Sequence, residues 1–468
     1  MTGALLITLF LGFYMAWNIG ANDVANAMGT SIGSKALTLK RAVILAAILE
    51  FAGAFFAGSS VSETIQHGIV SPQIFETAPQ IFVLGMMGSL LATGVLLQLA
   101  SYLRLPISTT HAIVGAVIGF GAVIGGIDAV QWGAVLQITT GWILSPLLSG
   151  IVSYAMFCLI QKKILYALNP VEATQKLAPL LVFFCVSIAA LSLFYDSLHL
   201  SFSFPLALTL AMLAGIAAAL LSLLFLRRLP ALDMPLPEGF NPYQAVSMEK
   251  AVHHLQRVHL SNRNESHGEQ ISHVLAQVHR LHETVKKNID YSHTTTQYLG
   301  VEKLFVYLQI LTACLIAFAH GANDVANAIG PVAAVLSILQ TKTVHTSVAI
   351  PSWLLALGGL GIVLGLATWG WRVIETIGEK ITELTPTRGF CAEFGAAFTI
   401  LLASKLGLPI STTHALVGAV FGVGMARGLQ ALNLQTLREI VLSWIVTIPL
   451  CALLSIAAFY LLQFIFLR

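Results

Sequence analysis

IGANDVANAMG at Ile19–Gly29 recurs as HGANDVANAIG at His320–Gly330, and LPISTTHAIVGAVIGFG at Leu105–Gly121 recurs as LPISTTHALVGAVFGVG at Leu408–Gly424. Eight identical consecutive residues, followed in each half by eight more in the same order, are not a product of composition, so the chain is an internal duplication. Trp142 with Ser145 and Pro146 finds a third correspondence in Trp444, Thr447 and Pro449. Each copy of GANDVANA places two amides and a carboxylate in the middle of an apolar run long enough to cross a bilayer.

Working outward, the 468 residues are 57% hydrophobic and only 10% charged, the balance of a membrane protein rather than of a soluble catalytic domain. Apolar runs occupy residues 2–33, 42–60, 80–103, 105–126, 131–161, 177–196, 202–226, 304–340, 345–371, 389–406, 408–428 and 438–466. The expectation is an all-α polytopic protein of about twelve transmembrane segments, several of them broken or re-entrant where Gly, Pro, Asn and Asp interrupt them. The first run lacks the basic n-region of a cleaved signal and reads as a permanent helix.

This divides the chain into a first transmembrane repeat (1–161), two linking helices (162–226), a hydrophilic insert (227–303) and a second repeat (304–468). Within the insert, Val252, Leu255, Val258, Ile271, Val274, Val278 and Leu281 recur at mostly three- and four-residue spacing, which predicts amphipathic helices. Eight of the fourteen histidines lie there, but their irregular spacing and the lack of cysteine favour a solvated helical arm over a metal or pH sensor. The five cysteines are scattered without CxxC spacing and read as small apolar core residues.

Lys35, Lys40, Arg41, Lys162, Lys163, Arg227 and Arg228 mark their loops as cytoplasmic, while the loop after the second run carries Glu63 and Glu76 without Lys or Arg. Both termini are then outside. Seven crossings between the two GANDVANA copies put the second in the opposite orientation, an inverted repeat of the kind used by secondary transporters, with binding at the repeat interface. A re-entrant STTH segment would change that parity. A net charge of +3 gives no reason to expect a nucleic-acid partner.

A carboxylate at mid-membrane costs about 2.5–3.5 kcal/mol on insertion scales, so Asp23 and Asp324 call for cations. Asn22, Asn26, Asn323 and Asn327 add amide oxygens, and Gly20 and Gly321 are expected to let the backbone unwind and expose its own. Oxygen-only ligands suit a hard ion such as Na⁺. In LPISTTH, Pro106 or Pro409 stops one helix, and Ser108, Thr109 and Thr110, or Ser411, Thr412 and Thr413, cap the next. The result is a helix N-terminus inside the membrane, suited to an anion; ordinary capping is the alternative for either copy alone. His111 and His414 follow in the first turn and are expected as neutral imidazoles, either structural or in contact with substrate. Glu50 and Glu393 lie in apolar runs without matching each other in the repeat, Glu393 aligning with Leu90, and are read as cation-coupling carboxylates.

With GANDVANA twice and PISTTH twice, the chain resembles the inorganic phosphate transporter family along its whole length, and two intact GANDVANA copies resemble the sodium-coupled branch. The resemblance implies phosphate symport, driven by Na⁺ in many members and by protons with metal-phosphate in others, and a large cytoplasmic loop between the halves. It also implies roles for Asp23, Asn26, Asp324, Asn327, the Ser and Thr of both PISTTH motifs, Glu50 and Glu393. Some relatives carry sulfate. Na⁺ enters as coupling ion rather than cofactor, no enzymatic activity is expected, and a homodimer in the inner membrane is compatible with this reading.

Two other functions compete with this reading. A phosphate channel would face about 4.6 kcal/mol per 100 mV for an entering divalent anion and would leak outward. An intramembrane aspartyl hydrolase using Asp23 and Asp324 would leave the asparagines and both PISTTH motifs without purpose.

Overall fold

The computed structural model describes residues 2–103, 107–195, 202–228, 242–261, 265–287, 291–341, 349–370, 384–427 and 434–467. Pro106, read above as a helix stop, and the Pro-rich start of the insert lie outside the described residues.

Among the described residues, fifteen α-helices follow in chain order. The first half contains α1 (Thr2–Gly33), α2 (Leu39–Ala57), α3 (Ser59–His67), α4 (Pro79–Tyr102), α5 (Thr109–Ile124) and α6 (Trp132–Ile160). Then come α7 (Pro170–Phe194) and α8 (Phe204–Arg228), and the insert forms α9 (Pro242–Ser261) and α10 (Glu265–Lys287). The second half contains α11 (Tyr291–Thr341), α12 (Ser352–Gly365), α13 (Pro386–Lys405), α14 (Thr412–Arg427) and α15 (Leu434–Phe466). Proline in the first turn starts α4, α7 and α13, where a missing N–H costs nothing. Asn169 also caps α7 by accepting from the Glu172 N–H.

Eight helices among the described residues are long and apolar enough to cross a membrane, or nine when α2 and α3 are counted as one span bent by 64°. The expected twelve segments thus exist as helices, but not all are full-length spans. At about 1.5 Å per residue, α5 and α14 reach only about 24 Å, short of the roughly 30 Å hydrocarbon core. They begin inside the protein, at the STT motifs.

The halves interlock. Gly115 and Gly119 of α5 pack against Ile448 and Ala452 of α15, and the corresponding Gly418 and Gly422 of α14 pack against Pro146 and Gly150 of α6. Each half's short helix therefore rests on the other half's last helix, an exchange that only a twofold relation produces. The same relation appears at the motifs. A Cβ on Gly20 would lie 1.9 Å from the Ile362 carbonyl oxygen, and one on Gly321 would lie 2.0 Å from that of Glu50. Here the sequence expectation needs correcting: α1 and α11 run unbroken through GANDVANA, so these glycines do not unwind the backbone but admit a neighbouring backbone.

Candidate functional site

Both motifs and both STT turns converge on one buried polar cluster. Within each half, the first asparagine and the aspartate turn to their own repeat. Asn22 donates to the Ser101 hydroxyl at 3.1 Å and Asn323 to Ser404 at 3.0 Å. The Thr109 hydroxyl bonds the Asp23 carboxylate, and Thr412 donates to Asp324 Oδ2 at 2.9 Å. The second asparagines cross over: Asn26 donates to Thr413 at 2.7 Å, and Asn327 to Thr109 and Thr110 at 3.3 and 3.1 Å. Every one of these side chains is buried.

In each STT turn the serine caps its helix, while the threonines turn to other partners. The Ser108 hydroxyl accepts from the His111 N–H at 3.2 Å, and Ser411 accepts from that of His414 at 3.3 Å. The first N–H groups of α5 and α14 have no partner inside their own helices, and the two helix dipoles place positive potential there.

Acceptors accumulate beside these donors. Asp23 Oδ2, Asp324 Oδ1, Asn323 Oδ1 and Asn327 Oδ1 are buried oxygens that accept no hydrogen bond among the described residues. Leaving such an oxygen unpaired in a low-dielectric interior is expensive, and a bound cation removes the cost. Asp23, Asp324 and His320 each offer a ligand atom within 4.8 Å of the others. Oxygen ligands of this kind suit a hard ion.

His320 was not singled out by sequence reasoning. Its Nε2 lies 3.0 Å from Asp324 Oδ2 and its Nδ1 lies 3.2 Å from Glu50 Oε1, so it bridges the second motif to the carboxylate of α2. The signal was present in the one place where the motif contexts differ in kind, Ile19 before the first copy and His320 before the second.

Glu393 stands apart from this cluster. Its Oε1 accepts from Thr30 and Ser31 at 2.6 Å each and from Gln309 at 3.1 Å, and its Oε2 accepts from Thr312 at 2.7 Å. Four donors from α1 and α11 hold this carboxylate on α13. His111 and His414 meet each other, with ring centroids 4.4 Å apart at 80°, and His111 also packs on the Trp142 ring at 3.9 Å.

The phosphate transporter family model matches residues 19–455, which spans both GANDVANA copies, both STT turns and the interlocked helices between them. The chain belongs to the phosphate transporter family. Among relatives of this phosphate transporter, the chloroplastic inorganic phosphate transporter 2-1 of Arabidopsis thaliana is 46% identical over 451 residues, 96% of this chain and 70% of that protein. A solved structure described as the sodium-dependent phosphate transporter superposes with a TM-score of 0.81 at 37% identity, covering 99% of this chain and 100% of that one.

Proposed function

We propose that this transporter imports inorganic phosphate by Na⁺ symport, the anion held between the two STT helix N-termini and Na⁺ held by Asp23, Asp324 and the neighbouring asparagine oxygens. The observation that carries this reading is the set of four buried, acceptor-only oxygens placed beside two opposed helix N-termini. Neutral amide oxygens bind a dehydrated alkali cation but cannot carry a proton. Two Na⁺ per divalent phosphate also offset the electrical cost of about 4.6 kcal/mol per 100 mV. The description of the solved relative as sodium-dependent supports the same choice.

In this arrangement the loops bearing Lys35, Lys40, Arg41, Lys162 and Lys163 face the cytoplasm together with the insert, and both termini lie outside the inner membrane. Glu50 and Glu393 assist from the flanks, Glu50 through His320 and Glu393 through the four donors that hold it.

A second reading, proton coupling, is favoured by one observation: the Glu50–His320–Asp324 contact joins three groups able to exchange protons. One experiment separates the two. In proteoliposomes at equal internal and external pH, replacing Na⁺ by choline should reduce phosphate uptake to background. Full uptake in choline, strongly stimulated by an inward pH gradient, reassigns the coupling ion to the proton. Sulfate outcompeting phosphate at neutral pH would overturn the assignment of the anion.

A further inference from the structure

Trp142 lies on α6, outside both STT turns, yet it touches both. Its indole Nε1 donates to the Pro409 carbonyl at 3.2 Å, on the second turn, while its ring packs on His111, just after the first. Its own carbonyl oxygen lies 3.4 Å from His414 Nδ1. A carbonyl oxygen only accepts, so this contact puts the imidazole proton of His414 on Nδ1.

The neighbouring carbonyl of the second turn, that of Ile410, accepts from Thr110 of the first turn at 2.9 Å. Two consecutive carbonyls immediately before Ser411 are thus held by donors from the first half. The same helix keeps its hold further along α14. Ser149 donates to the Ala415 carbonyl at 2.6 Å, and the Pro146 carbonyl lies against Gly418 so closely that a Cβ there would come within 2.2 Å.

We propose that Trp142, with the His111–His414 ring pair, is a positioning clamp that sets the spacing between the two STT turns and through it the preference for phosphate over larger tetrahedral oxyanions. The inference rests on the reading that these turns hold the anion. It assigns the two histidines to the clamp, with their rings turned to each other and to Trp142. Thr110 and Ser411 then have a dual position, facing the anion on one side and the clamp on the other. Because the anion bridges two half-sites, a small change in their separation alters every bond to it at once.

The test uses the full chain in proteoliposomes. Trp142→Phe keeps a ring against His111 and removes the N–H that holds Pro409 together with part of the buried indole. Phosphate KM should rise about three- to tenfold, the range expected for one lost buried hydrogen bond. Arsenate should gain on phosphate as a competitor, and the thermal midpoint in detergent should stay near that of the wild type. Unchanged KM and an unchanged arsenate-to-phosphate ratio overturn the clamp, as does a fall in maximal rate and thermal midpoint without a change in that ratio. If Trp142→Phe does not accumulate, Ser149→Ala removes the adjacent bond to Ala415, and phosphate KM should rise about twofold or more; an unchanged KM is again decisive against the proposal. Failure of the wild type to take up phosphate would instead overturn the anion reading itself.

Discussion

The Asp23 and Asp324 half-sites are made of the same eight residues and stand in different surroundings. The carbonyl contacts at Gly20 and Gly321 make Ile362 the counterpart of Glu50, and the motif alignment makes Ile19 the counterpart of His320. The imidazole that lies near both aspartates, and the Glu50 carboxylate it contacts, therefore come from one side of the pseudo-twofold alone, where the other side has two isoleucines. The contrast repeats at Glu393. Its counterpart Leu90 is buried in an apolar cluster with Leu11 and Val332, the counterparts of Thr312 and Ser31. Duplication supplied the binding chemistry twice, and substitution of the flanks gave the two faces of the site different character.

The largest expected effect breaks the part the halves share. Asp23→Asn and Asp324→Asn should each reduce coupled uptake by at least about 100-fold, equivalent to about 3 kcal/mol, while the protein still elutes as a folded species in detergent. Wild-type uptake by either variant would mean that one half-site alone suffices. Next comes the part they do not share. His320→Ile leaves Glu50 buried without its partner and should destabilise the fold by about 3–5 kcal/mol. Adding Glu50→Ile makes the second half-site resemble the first and should recover most of that loss. Thermal unfolding in detergent measures both, and a double variant no more stable than the single would show that the pair is not a unit.

A smaller effect is expected at the asymmetric carboxylate. Thr312→Val removes the one bond to Glu393 Oε2 and should cost about 1.5–3 kcal/mol, as for a hydrogen bond to a charged group. The matching change in the first half, Leu11→Val, should cost about 1 kcal/mol, because it trims only apolar contact. Equal costs in unfolding experiments would deny Glu393 its special status. The smallest effect tests symmetry directly. Ser108→Ala and Ser411→Ala each remove a helix cap worth about 1 kcal/mol, and each should raise phosphate KM about fivefold. If only one of them moves KM, the anion is held by one turn rather than two.

Much of this was legible in the sequence. The run read at 80–103 is the helix Pro79–Tyr102 and that at 105–126 contains Thr109–Ile124, because hydropathy and proline position act locally. The insert's periodicity likewise appears as α9 and α10. The repeat also marked the residues that meet at the centre, since two copies of one binding motif in a twofold arrangement must face each other. What could not be read was the environment of each residue. The Glu393 partners come from positions 30, 31, 309 and 312, and no local pattern joins them. The bend at Gly58 was missed because the helix after it, SSVSETIQH, is polar and reads as the loop that follows an apolar run. The unwound glycines were expected because glycine serves both open and close-packed backbone, and only the neighbouring chain decides between them.

Helix α11 runs 51 residues without interruption, from the last turn of the insert through Gln309, Thr312 and His320 to the second motif. At about 1.5 Å per residue it is roughly 75 Å long, well beyond the 40–45 Å of a whole bilayer. Pro331 sits just past the motif, so the stretch before it is the part held in fixed phase with Asp324, like the throws of a crankshaft. One residue added between Glu302 and Asp324 would turn Glu302 by about 100° about the axis relative to the motif. That stretch is thus constrained in length even where its composition is not, since the Glu302 carboxylate that holds Thr387 is aimed by the same helix that carries Asp324.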